Sequence, residues 1–349
     1  MARKLTWSPL PLPLADKQKA GSWGHATGRI WYREKNLLGR SGLDRLYAAS
    51  SEEEVKRLLL EHGYPQKDRA PDMMVAERDQ VYQLLSDITP DDGFYQILVL
   101  GRDARNLKLA LKYALLVQDK DPADFKSRIS RPALLDGDLL WRVLVGGEAD
   151  KVFPLWAAEV ASRARQAYGE NYDAASIDRA VDRDIEAIRA DLAIHLKADW
   201  ISGYLDRVRD LTNFETLLRA RHRKMSQALY ESSLLAGGLI DHEAWVRYYH
   251  EDDQVCIDDL CNTPYKVLSA HFVSYGDEGG AALFSADRDK LLAHYLEAGV
   301  HTLSGAPRVI AYIMAREYEF KNIRLVMAAV ADGLDRENIQ ALRRDFRKG

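Results

Sequence analysis

"RDLTNFETLL", residues 209–218, sets an asparagine, Asn213, in front of apolar residues that recur at helical spacing. Asparagine is a poor residue for an apolar helix because its amide competes for backbone hydrogen bonds, so a fixed backbone partner is expected for it. The same arrangement returns in "RDARNLKLAL", 102–111, and in "YEFKNIRLVM", 318–327. Each copy has an acid three residues before the asparagine, giving Asp103/Asn106, Asp210/Asn213 and Glu319/Asn322. The positions one, four and five residues after it are apolar every time: Leu107/Ala110/Leu111, Phe214/Leu217/Leu218 and Ile323/Val326/Met327. That spacing paints one stripe of a helix. Ile97, Tyr204 and Ile313, nine residues before the asparagines, extend it.

The asparagines lie 107 and 109 residues apart, whereas ordinary residue usage satisfies the whole pattern in on the order of one window per thousand. The six acids and asparagines are therefore expected to be architectural, each amide capping a helix or tying its backbone to a neighbouring segment. A weaker echo sets "DRLYAASSEEEVKRLL", from Asp44, on "WRVLVGGEADKVFPLW", from Trp141, matching Arg45 with Arg142 and Val55 with Val152. Its third copy is sought around "ADRDKLLAHYLEAG", 286–299. A period near one third of the chain predicts three comparable helical units, not a solenoid of short repeats. The expected organisation is an extended arm over 1–28, where Pro9, Pro11 and Pro13 break any helix, then units over 29–130, 131–235 and 236–349.

The expected fold class is all-α. No proline interrupts the chain between Pro154 and Pro264, so long helices are permitted there. Ile177, Val181, Ile185, Ile188, Leu192 and Leu196 follow one another at intervals of three and four, an amphipathic helix. "SSEEEVKRLLLEHGYP" reads as a helix opened by Ser50 or Ser51, acidic in its first turn, and stopped at Gly63 and Pro65. "FYQILVL", 94–100, is the one apolar run compatible with a strand, and 274–289, with Gly276, Gly279 and Gly280, is expected to be a loop.

Of 349 residues, 47% are hydrophobic and 29% charged, and a net charge of -4 argues against a dedicated nucleic-acid binder. Two cysteines, Cys256 and Cys261, rule out a disulfide framework and suggest a reducing, cytoplasmic setting. No run approaches the roughly 20 apolar residues of a membrane span.

The last copy in full, "AREYEFKNIRLVMAAVADGLDRENIQALRRDF", resembles the closing signature of the rotor-cap component of rotary V-type and archaeal-type ATPases, the one lettered C in bacteria and archaea and d in eukaryotes. The matching residues are Glu317, Asn322, Ile323, Arg324, Gly333 and Leu334, then a charged helix beginning near Glu337. "GRIWYREKNLLGRSGLDRLYAASSEEEVKRLLLEHGYP" is similar to that family's opening through Arg29, Glu34, Leu37, Leu38 and Tyr64. The resemblance implies three pseudo-equivalent helical units in a funnel with pseudo-threefold symmetry. It implies a peripheral, non-catalytic component on the cytoplasmic face, with the membrane proteolipid ring and the central-stalk subunits as partners and no cofactor. Its work would be to transmit torque for ion transport.

Reactive chemistry is sparse. Nothing ends a glycine loop in Lys-Ser/Thr, and "GHATGR", 24–29, imitates a phosphate loop poorly. "HEDDQVCIDDLC", 250–261, offers Asp252, Asp253, Asp258 and Asp259 as hard-cation ligands, and with them the alternative of a magnesium-dependent helical enzyme. The acids do not fall on one helix face, and His250, Cys256 and Cys261 lack zinc spacing; no catalytic, cofactor or metal residue is assigned. The basic run after the second copy, Arg219, Arg221, Arg223 and Lys224, is the candidate partner-binding stretch, and a generic helical scaffold is the plainest alternative.

Overall fold

Freedom from proline is used as expected: the helices Leu155–Asn171, Ala174–His195 and Asp199–His222 follow one another with two- and three-residue joints. A computed structural model describes residues 22–302, 305–334 and 339–346, and the protein is all-α, with no strand among those residues. The described chain divides into two compact units, Asp91–Ser202 and a second assembled from 22–90 and 203–346.

In the first unit the helix Asp92–Leu116 packs with Leu155–Asn171 and Ala174–His195. Ile177, Val181, Ile185, Ile188 and Leu192 are all buried, so the periodic stripe is the inner face. Lys108 and Lys112 reach across to Asp182 and Asp178, each at 2.7 Å. "FYQILVL" lies inside the Asp92–Leu116 helix, where Val99 and Leu100 are core residues. Apolar run length alone does not separate a strand from a buried helix.

The second unit is built on the helix Ala306–Asp332, which packs against Gly280–Val300, Trp23–Glu34, Gly39–Ala48 and Ala70–Ile88. Apolar residues occur on nearly every side of it, as they must on a helix covered all round. Phe320, Ile323 and Val326 meet Leu46, Tyr47, Val55, Leu58 and Met73 in one core. Helix Glu52–Glu61 opens at Ser51, whose hydroxyl accepts from Glu54 N–H, and closes before Gly63 at φ 74°, as its residues predict.

Two expectations are corrected. The stretch 274–289 is a loop only as far as Gly279; from Gly280 it is the helix Gly280–Val300. A Cβ on Gly280 would stand 2.1 Å from the Ser274 carbonyl oxygen, so this glycine serves a close backbone approach and not flexibility. Residues 23–28, expected within the arm, are helical: Ser22 caps Trp23–Glu34, and the rest of the expected arm, 1–21, lies outside the described residues. No helix among the described residues is long and apolar enough to cross a membrane.

Candidate functional site

All three asparagines sit in helix interiors, not at helix heads, on Asp92–Leu116, Asp199–His222 and Ala306–Asp332. Each is buried and makes the same pair of bonds to one backbone position downstream. Asn106 donates to the Ser130 carbonyl at 2.9 Å and accepts from Ser130 N–H at 2.8 Å. Asn213 does so with Leu235 at 2.9 and 2.8 Å, and Asn322 with Arg344 at 2.8 and 3.0 Å. A side-chain amide thus mimics a rung of backbone pairing, and its helix-propensity cost of a few tenths of a kcal/mol is small beside two buried hydrogen bonds.

The acids hold a second point one turn away. Asp103 accepts from the N–H groups of Leu134 and Leu135 at 3.1 and 2.8 Å. Asp210 accepts from Leu239 and Ile240 at 2.7 and 3.4 Å, and from the Tyr265 hydroxyl at 2.6 Å. Glu319 accepts from Leu38 N–H, and from the Tyr64 hydroxyl at 3.3 Å. Leu134-Leu135, Leu239-Ile240 and Leu37-Leu38 are therefore equivalent apolar pairs. The offset that sets Arg45 on Arg142 also sets Leu38 on Leu135. Laid on Leu239-Ile240 in the same way, the third copy of the echoed element starts at Val246, seven residues after Leu239, not near 286, which lies within the Gly280–Val300 helix. Each helix clamps the start of the next segment, and the last helix clamps the first.

Glu319 carries more than its counterparts. Arg316, 1% exposed, lies 2.8 Å from Glu319 and 3.4 Å from Glu77, and its guanidinium stands over the rings of Tyr64 and Tyr312. Burial pushes the pKa of Glu77 and Glu319 upward, and the Arg316 charge opposes it. One cation between two buried carboxylates is strongly held, because removing it would leave uncompensated charge. Asp289, also buried, pairs with Lys321 at 2.8 Å and Arg344 at 2.6 Å, anchoring the segment whose backbone Asn322 grips. Glu77, Tyr47 and Asp289 have no sequence signal, since each partner is distant in the chain, and the i,i+3 spacing of Arg316 and Glu319 does not set them apart from other charged pairs on helices.

Residues outside the clamps are dispersed. Arg221 is committed inward, to Asp253 at 2.8 Å and the Glu251 carbonyl at 2.8 Å, and Arg219 pairs with Glu215 at 2.7 Å. Arg223 and Lys224 are exposed. Asp258 accepts from Gln254 and Asp259 pairs with Arg247, so the four aspartates do not converge. No group of His, Cys, Asp and Glu among the described residues could hold a metal ion. Cys256 is buried, its thiol pKa raised by desolvation, and Cys261 is exposed. "GHATGR" is helical, within Trp23–Glu34.

Residues 26–342 match a family model described as ATP synthase (C/AC39) subunit. Comparison with curated proteins gives no match. The matched span takes in all three helices, their clamps except the Arg344 end of the last, and the closure of Glu319 on Leu38, and the chain belongs to the ATP synthase (C/AC39) subunit family.

Proposed function

We propose that this chain is a non-catalytic rotor adapter, joining the central stalk of a V-type ATPase or ATP synthase to its membrane proteolipid ring and passing torque between them for ion translocation. It would be peripheral to the membrane, held there through the complex. The observation that carries this is the closed order of clamps. Three long helices each grip the start of the next segment through a buried amide and a buried carboxylate, and the last grips the first. Such stitching suits a part that is twisted between two partners, because strain at one end is shared across contacts far apart in sequence. The units 29–130, 131–235 and 236–349 are proposed on the same ground.

Family membership supports the setting, and the separate pairing of Asp253, Asp258 and Asp259 gives the magnesium-enzyme alternative no support. Of the basic stretch, Arg223 and Lys224 are proposed to meet the stalk, with Arg219 and Arg221 holding the helix end beneath them. Pull-down with purified central-stalk subunits and with the isolated proteolipid ring tests the role. Capture of both is expected; capture of neither overturns it. Arg223→Glu with Lys224→Glu is expected to weaken stalk capture and leave ring capture intact.

A further inference from the structure

The helix Trp23–Glu34 buries Ala26, Thr27, Ile30 and Glu34 against the second unit and turns an unusual face outward. Trp31 is 61% and Tyr32 70% exposed, and His25, Gly28, Arg29 and Lys35 are exposed beside them. Lys35 Nζ stands 5.1 Å from the Trp31 ring centroid. His25, Gly28, Arg29 and Tyr32 follow one another at helical spacing along one face, and Gly28 leaves the backbone bare there.

Isolated exposed apolar residues are ordinary; two adjacent aromatics among cations, with no acid to balance them, are not. Between residues 19 and 40 the sequence has five Lys/Arg and one acid, in a chain of net charge -4. That acid, Glu34, is buried and paired with Arg308 at 2.8 Å. Other surface cations have an acid beside them, as in Lys126–Asp138, Arg128–Asp124 and Arg45–Glu61. Arg29 has no ion pair among the described residues.

We infer that this face contacts an anionic lipid surface directly, with Trp31 and Tyr32 entering the headgroup layer and Arg29, Lys35 and Arg40 meeting lipid phosphates or carboxylates. Amphipathic rings favour the level where apolar chain meets water, and long cationic side chains lay their stems along apolar surface while their heads reach the charge. An acidic protein face would match the cations and take the rings at its core as well, so stalk and ring capture is measured beside vesicle binding to separate the two occupants. The contact is additional to any grip on the proteolipid ring and does not depend on it.

The test is co-sedimentation of the full chain with phosphatidylcholine vesicles and with phosphatidylcholine–phosphatidylserine vesicles at about 7:3, at low and high salt. Binding to the anionic vesicles alone, released by salt, is expected. Each basic residue at such a surface contributes about fivefold, so Arg29→Glu with Lys35→Glu should lower binding at least ~25-fold. Trp31→Ala should weaken it while melting as the wild type does. Equal binding to neutral vesicles, no binding to either, or indifference to all three substitutions overturns the inference. So does loss of stalk or ring capture in detergent by the Arg29→Glu/Lys35→Glu variant, which would make an acidic protein the occupant. Retained capture with lost vesicle binding supports it, and failure of wild-type capture touches only the rotor role.

Discussion

The carboxylate of Glu319 accepts a hydrogen bond from the backbone N–H of Leu38, 281 residues earlier in the chain. Asp103 and Asp210 make their backbone bonds some thirty residues downstream of themselves. The last acid instead reaches the leading Leu-Leu pair, and it does so as a glutamate supported by Arg316. Arg316→Met would leave Glu77 and Glu319 buried without a counter-ion, at a cost of about 3–5 kcal/mol. Chemical unfolding should show this loss at neutral pH and a partial recovery as the pH is lowered, because burial favours the protonated form of both carboxyls. Adding Glu77→Gln to Arg316→Met should restore part of the stability. A double variant no better than the single one would mean that charge at Glu77 is not the problem.

Asn213→Ala removes both bonds to Leu235 in a site with no solvent. The Leu235 N–H and carbonyl would be left unsatisfied, so the loss should reach roughly 2–4 kcal/mol, larger than the ~1 kcal/mol typical of a helix cap. Asn213→Asp keeps an acceptor for Leu235 N–H, and below the carboxyl pKa its O–H also replaces the lost donor, so it should be the milder change there. Urea midpoints at unchanged slope would measure both. A variant indistinguishable from the wild type would remove the amide from the architecture.

What was legible in the residues was local or repeated. Burial of Ile177 through Leu192 follows from spacing, because a 3.6-residue period has one structural meaning at that length. Asn106, Asn213 and Asn322 could be singled out because they recur, although no spacing names Ser130, Leu235 or Arg344 as partners. Whether each amide caps a helix or ties down a neighbouring segment is not fixed by the residues alone, because the acid and basic residues before it look like a polar helix start although Asp103, Asp210 and Glu319 are buried. Gly279 and Gly280 read as a loop because a glycine needed for close approach looks the same in sequence as one supplying freedom. Arg221 shows the matching weakness of charge: its sign was visible, but not that Asp253 and the Glu251 carbonyl already held it.

Asp103 is held by two backbone N–H groups, whereas Asp210 and Glu319 also accept from a tyrosine hydroxyl. Burial pushes the Asp103 pKa up to about 7 from 3.8, against the pull of those two donors. With a folded pKa above the unfolded one, the native state binds the extra proton, so stability falls as pH rises between about 4 and 7 and levels off beyond. The slope from this group is at most about 1.4 kcal/mol per pH unit. Other carboxylates titrate in the same range, so the informative quantity is the difference between wild type and Asp103→Asn. That difference should change between pH about 4 and 7, and hydrogen exchange at Leu134 and Leu135, corrected for intrinsic rates, should slow at the lower pH only in the wild type. Parallel pH profiles for the two proteins would show that Asp103 does not titrate there.

Two glycines should answer the same substitution with opposite sign. Gly238 has φ 114°, and a Cβ built there would stand 2.2 Å from Asp210 Oδ1, the atom that accepts from Ile240 N–H. Gly238→Ala therefore combines a forbidden backbone conformation with a collision against the clamp, and it should destabilise by about 2 kcal/mol or more. Gly101 lies inside the Asp92–Leu116 helix, exposed, with open space where a Cβ would go. There alanine lowers the entropy of the unfolded chain and costs nothing in the folded one, so Gly101→Ala should stabilise by roughly 0.5–1 kcal/mol. The two alanine variants, unfolded side by side in urea, should move the midpoint in opposite directions. If Gly238→Ala is neutral, Asp210 must shift without cost, and the rigidity assigned to its clamp would be lost with it.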